Sequence, residues 1–351
     1  MKAAEQTWPR IVIHAFRFIG VTGGLKFLSL LRRQPVQIIK RCVYMGGSAD
    51  IHLGCLHGRK VAVKEIRLRQ ADQLDKIELS RECAIMSTLK SHPHIIEFLG
   101  VYCNKSRLPA IVTPWMDYGT LADTVKLKPP PGQRRMLVQQ LADGMLFLKS
   151  SNVIHGDLKA IYSAEQNNIL INSEGKPCIA DFGLACYGKG VSPCKTSAPG
   201  LLRKFFDTTT KVDDLPSAKV TWSGGGSTRW MAPELLVSEI SPQPTFESDI
   251  FSFGMVIYEI YSGHLPFYEF NNFMAILHIT QGNRPDRPSS APDDIWSIAK
   301  RSWNEKPALR PAIEDIYKEL PVIRLTECHG SSWLTHASER QGEIHSRRAM
   351  A

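Results

Sequence analysis

The sequence predicts an α+β protein in two unequal parts, a small β-rich part with one helix and then a larger, mainly helical part. Three observations carry this. Residues 60–66 (KVAVKEI) form a β-rich run with Gly58 on its flank. Residues 73–89 place Leu74, Ile77, Ala84, Ile85 and Leu89 at helical spacing. Beyond Gly119 the strongest patterns, 133–148 and 249–261, are helical.

Taken in order, 42 to about 112 is strand-like with one helix, and 60–66 is a β-rich run within it. The helix over 73–89 is stopped by His92-Pro93, because a proline disfavours helical backbone in the residue before it. Residues 95–102 and 110–113 read as further strands. After the two strong helices come weaker ones at 295–303 and 313–320. Residues 187–226 are rich in Ser, Thr, Gly and Pro and read as a long loop, a class that is usually functional or disordered. Residues 329–351 are polar and aperiodic, which predicts disorder. These patterns fit two lobes of one fold or two small domains.

The chain has 351 residues, 43% of them apolar and 22% charged, so wholesale disorder and coiled coil are excluded. Its net charge is +9, but the charge is uneven. Arg10, Arg17, Lys26, Arg32, Arg33, Lys40 and Arg41 occupy a stretch without a single acid, and the rest of the chain carries only about +2. The basic balance is therefore a property of the N-terminus, and no nucleic-acid partner is expected. His14, Arg17 and Lys26 interrupt the apolar run at 11–31, which argues against a membrane-spanning helix and a secretory signal. A basic lead-in is the plain reading. A membrane-surface or partner contact, or an amphipathic transit peptide, is the alternative. The eight cysteines include no C-x-x-C pair, so they read as reduced thiols of a cytoplasmic or nuclear protein, with mitochondrial targeting the minor alternative.

Four short runs then follow in a fixed order: VAVK at 61–64, HGDLK at 155–159, DFG at 181–183 and APE at 232–234. Each alone is a weak signal, but their order and spacing resemble those of a eukaryotic protein kinase. The resemblance covers about residues 43–322. It implies a two-lobed kinase fold, with a small antiparallel sheet and one helix above a larger helical lobe. Residues 1–41 are then a basic leader, 42–322 the kinase domain and 323–351 a polar tail. Within the domain, 42–113 is the small lobe, 114–119 the hinge, 120–322 the large lobe and 181–234 a long activation segment.

The resemblance also assigns roles. Lys64 would hold the α- and β-phosphates of ATP, with Glu82 in the following helix fixing its ammonium. Asp157 matches the catalytic base, and Lys159 the lysine that neutralises the transferred phosphoryl group in Ser/Thr kinases. Asp181 and Asn168 match the ligands of Mg²⁺, a hard cation that prefers oxygen. Thr113 falls at the gatekeeper position, while the Pro114 carbonyl and Met116 N–H would bond the base edge. Ala62 and Leu170 would sandwich the ring. Glu234 would pair with Arg310, Asp249 would brace the catalytic loop, and Ser227 would contact the base and Lys159. WMAPE at 230–234, together with SFG and ALRP, resembles the tyrosine-kinase-like group, so a Ser/Thr kinase of that group is implied, acting on ATP and protein substrates in signalling.

Four features depart from the pattern. Gly156 replaces the arginine that reads an activation-loop phosphate. The three expected loop glycines fall on Tyr44, Gly46 and Ala49, with Gly47 adding freedom and Ile51 keeping the apolar cover over adenine. Six extra residues, 161–166, stand between Lys159 and Asn168, either bulging outward or displacing the metal ligand. Fifty-two residues lie between Asp181 and Glu234, with an excess over 191–219 that would dock a partner or be disordered. The 161–166 insert and the degenerate glycine loop leave a pseudokinase or weakly active scaffold as the alternative function.

Overall fold

A computed structural model describes residues 36–45, 49–67, 72–102, 109–160, 168–188, 226–237 and 243–320. The leader to residue 35, Gly46, Gly47, the 161–166 insert, the 191–219 insert and the tail lie outside the described residues.

Five antiparallel strands form the small lobe: β1 (Gln37–Met45), β2 (Ala49–Leu56), β3 (Arg59–Ile66), β4 (Gly100–Tyr102) and β5 (Ala110–Pro114), in the order β1-β2-β3-β5-β4. Helix α1 (Asp72–Thr88) joins β3 to β4. The period of two sorts β3 cleanly. Val61 and Val63 are buried in a small core with Val36, Leu56, Ala110 and Val112, whereas the alternate residues Ala62 and Lys64 are half-buried.

The large lobe holds α2 (Leu121–Lys126), α3 (Pro131–Ser150), α4 (Pro233–Leu236), α5 (Phe246–Ser262), α6 (Asn272–Thr280), α7 (Asp293–Ser302) and α8 (Ile313–Glu319). Two small sheets complete it, β6 (Val153–Ile154) with β9 (Cys186–Tyr187), and β7 (Ile169–Ile171) with β8 (Pro177–Ile179). Helix α5 is the axis of this lobe. It opens on a capping box, in which Thr245 and Ser248 each accept the other's backbone N–H, and closes on Gly263 in the left-handed region at φ 74°. Every residue from Ser248 to Tyr261 is buried, as befits a helix that is apolar nearly all round. The main core runs continuously from α1, through Leu79, Cys83, Ile85 and Met86, into this lobe. The two parts are therefore lobes of one fold.

Two expectations need correction. Residues 95–99 are not a strand: Ile95 makes only an isolated bridge to Ile179, and the strand starts at Gly100. The reason is that Ile96 N–H and His94 C=O are taken by Ile179, which ties this segment to the large lobe. The sheet also begins at Gln37, ahead of the boundary drawn at residue 42. Residues 37–42 are mostly exposed, so the alternation that marks a strand is faint there.

Candidate active site

Lys64 projects from β3 between two carboxylates from different lobes. Its Nζ donates to Glu82 Oε1 at 2.9 Å and Oε2 at 3.1 Å, and to Asp181 Oδ1 at 3.0 Å. Glu82 is buried on α1. Two acids and one ammonium cannot all be equally satisfied. Burial disfavours the charged form of Lys64, but Asp181 and Glu82 outweigh it and hold the ammonium far above the usual lysine range. Burial pushes Glu82 up despite the ammonium beside it. Burial also opposes charge on Asp181, but Lys64 outweighs it and brings that group down to about 2, with Lys159 and the Gly183 N–H contributing. The triad thus keeps Asp181 ionised.

Asp181 itself sits in the left-handed region at φ 63°, which Asp tolerates better than most residues. The turn behind it is anchored by Phe182, fully buried and edge-on to His155 at 5.2 Å. His155 Nε2 meets Ala180 C=O at 3.0 Å.

Asp157 follows two residues later. Its Oδ2 accepts from Lys159 Nζ at 2.5 Å and from Asn168 Nδ2 at 2.9 Å, while Asn168 Nδ2 also reaches the Asp157 carbonyl at 2.6 Å. Lys159 and Asn168 are both buried. The structure therefore brings the base candidate and the metal-ligand candidate together, and residues 161–166 do not separate them. With Asn168 Nδ2 turned to Asp157, its Oδ1 is a buried carbonyl oxygen without a hydrogen-bond partner among the described residues. Such an orphan is costly unless something meets it. A carboxylate and an amide oxygen fit a hard divalent cation that completes its shell with phosphate oxygens and water.

The loop carrying Asp157 is held from below. Asp249 on α5 accepts the N–H groups of His155 at 2.7 Å and Gly156 at 2.9 Å. Gly156 has φ 78°, and a Cβ there would lie 2.9 Å from the Leu184 carbonyl oxygen. This backbone suits glycine where the family pattern has arginine.

At the hinge, Pro114 closes β5, and Met116 C=O accepts Gly119 N–H at 3.0 Å. Thr113 pairs with Ala62, and Ile51 with Lys64, so the adenine candidates lie on adjoining strands. Leu170, on β7, is bridged to Thr120 just past the hinge. Arg310 and Glu234 form a two-pronged pair at 2.7 and 2.8 Å. Ser227 lies in a 3-10 turn (Gly226–Trp230), with its side chain outside the described residues.

Glu259 escaped the sequence reading. Buried on α5, it accepts from Trp230 Nε1 at 2.6 Å and from Ala160 N–H at 3.3 Å. Its only sequence signal is an acid inside an apolar helical run. Arg229 is similar, donating to the carbonyls of Pro266, Phe267 and Phe270 and so fastening the 3-10 turn to the approach of α6.

The family model described as the protein kinase domain matches residues 45–320. The serine/threonine/tyrosine-protein kinase HT1 of Arabidopsis thaliana is 30% identical over 305 residues, which are 84% of this chain and 68% of that protein. The dual specificity protein kinase pyk3 of Dictyostelium discoideum is 28% identical over 88% of this chain. The proto-oncogene tyrosine-protein kinase ROS of Rattus norvegicus is 30% identical over 86% of it. This chain spans only 20% and 12% of those last two proteins. A match that runs from the end of β1 to just past α8, on a fold with this cleft, shows that the chain belongs to the protein kinase family.

Proposed function

We propose that the protein transfers the γ-phosphate of ATP to Ser or Thr hydroxyls of protein substrates. The observation that supports this best is the Asp157 carboxylate, held at once by Lys159 and Asn168 in a loop braced by Asp249. In the transfer, Asp157 takes the proton of the acceptor hydroxyl as its oxygen bonds to the γ-phosphorus. The bond from that phosphorus to the β-bridging oxygen breaks, and ADP leaves. Lys64 orients the α- and β-phosphates, and its own position is fixed by Glu82 and Asp181. Lys159 stabilises negative charge on the phosphoryl group as it moves. Asp181 and the orphan Asn168 Oδ1 would hold Mg²⁺, which when bound neutralises phosphate charge. Lys159, two residues beyond the base, is what favours Ser/Thr over Tyr. Relatives named as tyrosine or dual-specificity kinases make the acceptor the point to test.

The test is radiolabelled γ-phosphate transfer by the full chain to Ser-, Thr- and Tyr-containing peptides, beside Asp157→Asn. Transfer to Ser and Thr that falls by about 10³-fold or more in Asp157→Asn is expected. Transfer only to Tyr would overturn the acceptor assignment. Transfer that survives Asp157→Asn would overturn the base. A folded chain that binds ATP without transferring phosphate would be a scaffold.

A further inference from the structure

Tyr44 stands where the family pattern has the first glycine of the loop over ATP. A bulky residue there removes backbone freedom, yet the structure gives it a partner. The Tyr44 ring lies over the Trp115 ring, centroids 6.3 Å apart and planes 24° from parallel, within the range of stacked aromatic pairs. The contact joins two walls of the cleft. Tyr44 is the next-to-last residue of β1 and pairs with Ile51, the candidate cover over adenine. Trp115 lies between Pro114 and Met116, the candidates for the base edge, and its N–H is held by the Lys60 carbonyl at 3.2 Å.

A second, independent set of contacts fixes how β1 arrives at Tyr44. Lys40 pairs with Leu53, but the next pair is Tyr44 with Ile51, so residues 41–43 of β1 face His52 alone. Cys42, at φ 49°, sits in the middle of this bulge. Its N–H goes to His52 Nδ1 at 2.8 Å, and His52 Nε2 meets Glu65 Oε2 at 3.0 Å. The acceptor at Nδ1 places the histidine proton on Nε2, facing the carboxylate. The His52 ring at the centre of this polar chain is buried. A side chain thus replaces the ladder acceptor that the bulge removes, and both rings are presented from held backbone.

We propose that Tyr44 and Trp115 are positioning residues that latch the β1–β2 hairpin to the hinge and so retain bound ATP, a task that the missing glycine contacts leave open. The retention half rests on the reading of this cleft as an ATP site.

The test is stopped-flow release of a fluorescent methylanthraniloyl-ATP from the full chain. Tyr44→Ala and Trp115→Ala should each speed release by about three- to tenfold, the size of one aromatic pair. The double variant should be no faster than either single, because the contact is shared. Tyr44→Phe, which keeps the ring, should retain slow release. KM for ATP should rise in the alanine variants without a fall in kcat. Unchanged release in Tyr44→Ala, or fully additive effects, would overturn the latch. Amide exchange of β1 in the nucleotide-free protein separates the two claims. Faster exchange in both alanine variants upholds the latch even if no nucleotide binds, in which case the ATP reading falls. Unchanged exchange overturns the latch and leaves the ATP reading standing.

Discussion

At the scale of single residues, Glu259 is the least expected group. Burial pushes its carboxyl well above the usual glutamate range, although the Trp230 and Ala160 N–H groups favour the ionised form. One of its oxygens, Oε1, is buried without a partner among the described residues. Because the folded value exceeds the unfolded one of 4.5, protonation favours folding. That contribution is complete below pH 4.5 and is lost as pH rises toward the folded value. Glu259→Gln removes the titration while keeping an acceptor for Trp230. The variant should therefore gain stability relative to the parent between pH 5 and pH 8. Urea denaturation of both proteins at the two values measures it, and a parallel pH dependence would refute the assignment. Asp181 behaves in the opposite sense. Lys64 holds it down to about 2, so its contribution is present above 3.8 and is lost only as pH falls through about 2.

At the scale of elements, close approach sets tolerance. Gly144 lets α3 lie against the segment before β4, where an added Cβ would be 3.0 Å from the His94 carbonyl oxygen. That oxygen cannot move away freely, because it accepts the Ile179 N–H at 2.9 Å. Gly144→Ala should cost about 1–2 kcal/mol even though alanine is the better helix former, read as a lower denaturant midpoint. No loss of stability would show that α3 can shift. The elements that could be read from the sequence share one property, a long one-faced or uniformly apolar pattern. Helix α1 was expected at 73–89 and runs Asp72–Thr88, and α5 was expected at 249–261 and runs Phe246–Ser262. Helices α2 and α6 were not foreseen. The first has six residues, and the second (NFMAILHIT) is too short for its period to show, so caps decide them: Thr120 and Asn271 each accept an N–H of the first turn. The candidate site was legible because its residues sit in short contiguous runs. Glu259 with Ala160, and Tyr44 with Trp115, were not, because each pairs residues far apart in the chain on a packing decision that no local pattern records.

At the scale of the whole molecule, two ties bind distant parts. Lys64 joins the lobes, and the Arg310–Glu234 pair joins α4 to the segment before α8. The Arg310 side chain is fully buried and also donates to the Asn304 and Glu247 carbonyls. Glu234→Ala would leave that guanidinium buried without a carboxylate. The expected loss is about 3 kcal/mol of stability, measured by thermal or chemical unfolding. A change below about 0.5 kcal/mol would place the pair among the ineffective ones. The side-chain-free Gly156 leads to an activity prediction. With no cation from that position to greet a phosphate, alanine at every Ser and Thr of 189–225 should leave transfer to an exogenous peptide intact. Abolished transfer would show that another group reads the phosphate. The anchoring of the catalytic loop has one more consequence. Ala160 and Asn168 are both buried, the first tied to Glu259 and the second to Asp157, so the residues on either side of the insert are each pinned. Lengthening a tether between pinned points costs only about 0.6 kcal/mol per doubling. An epitope or a fluorescent reporter spliced between those two points should therefore leave the reacting groups in place.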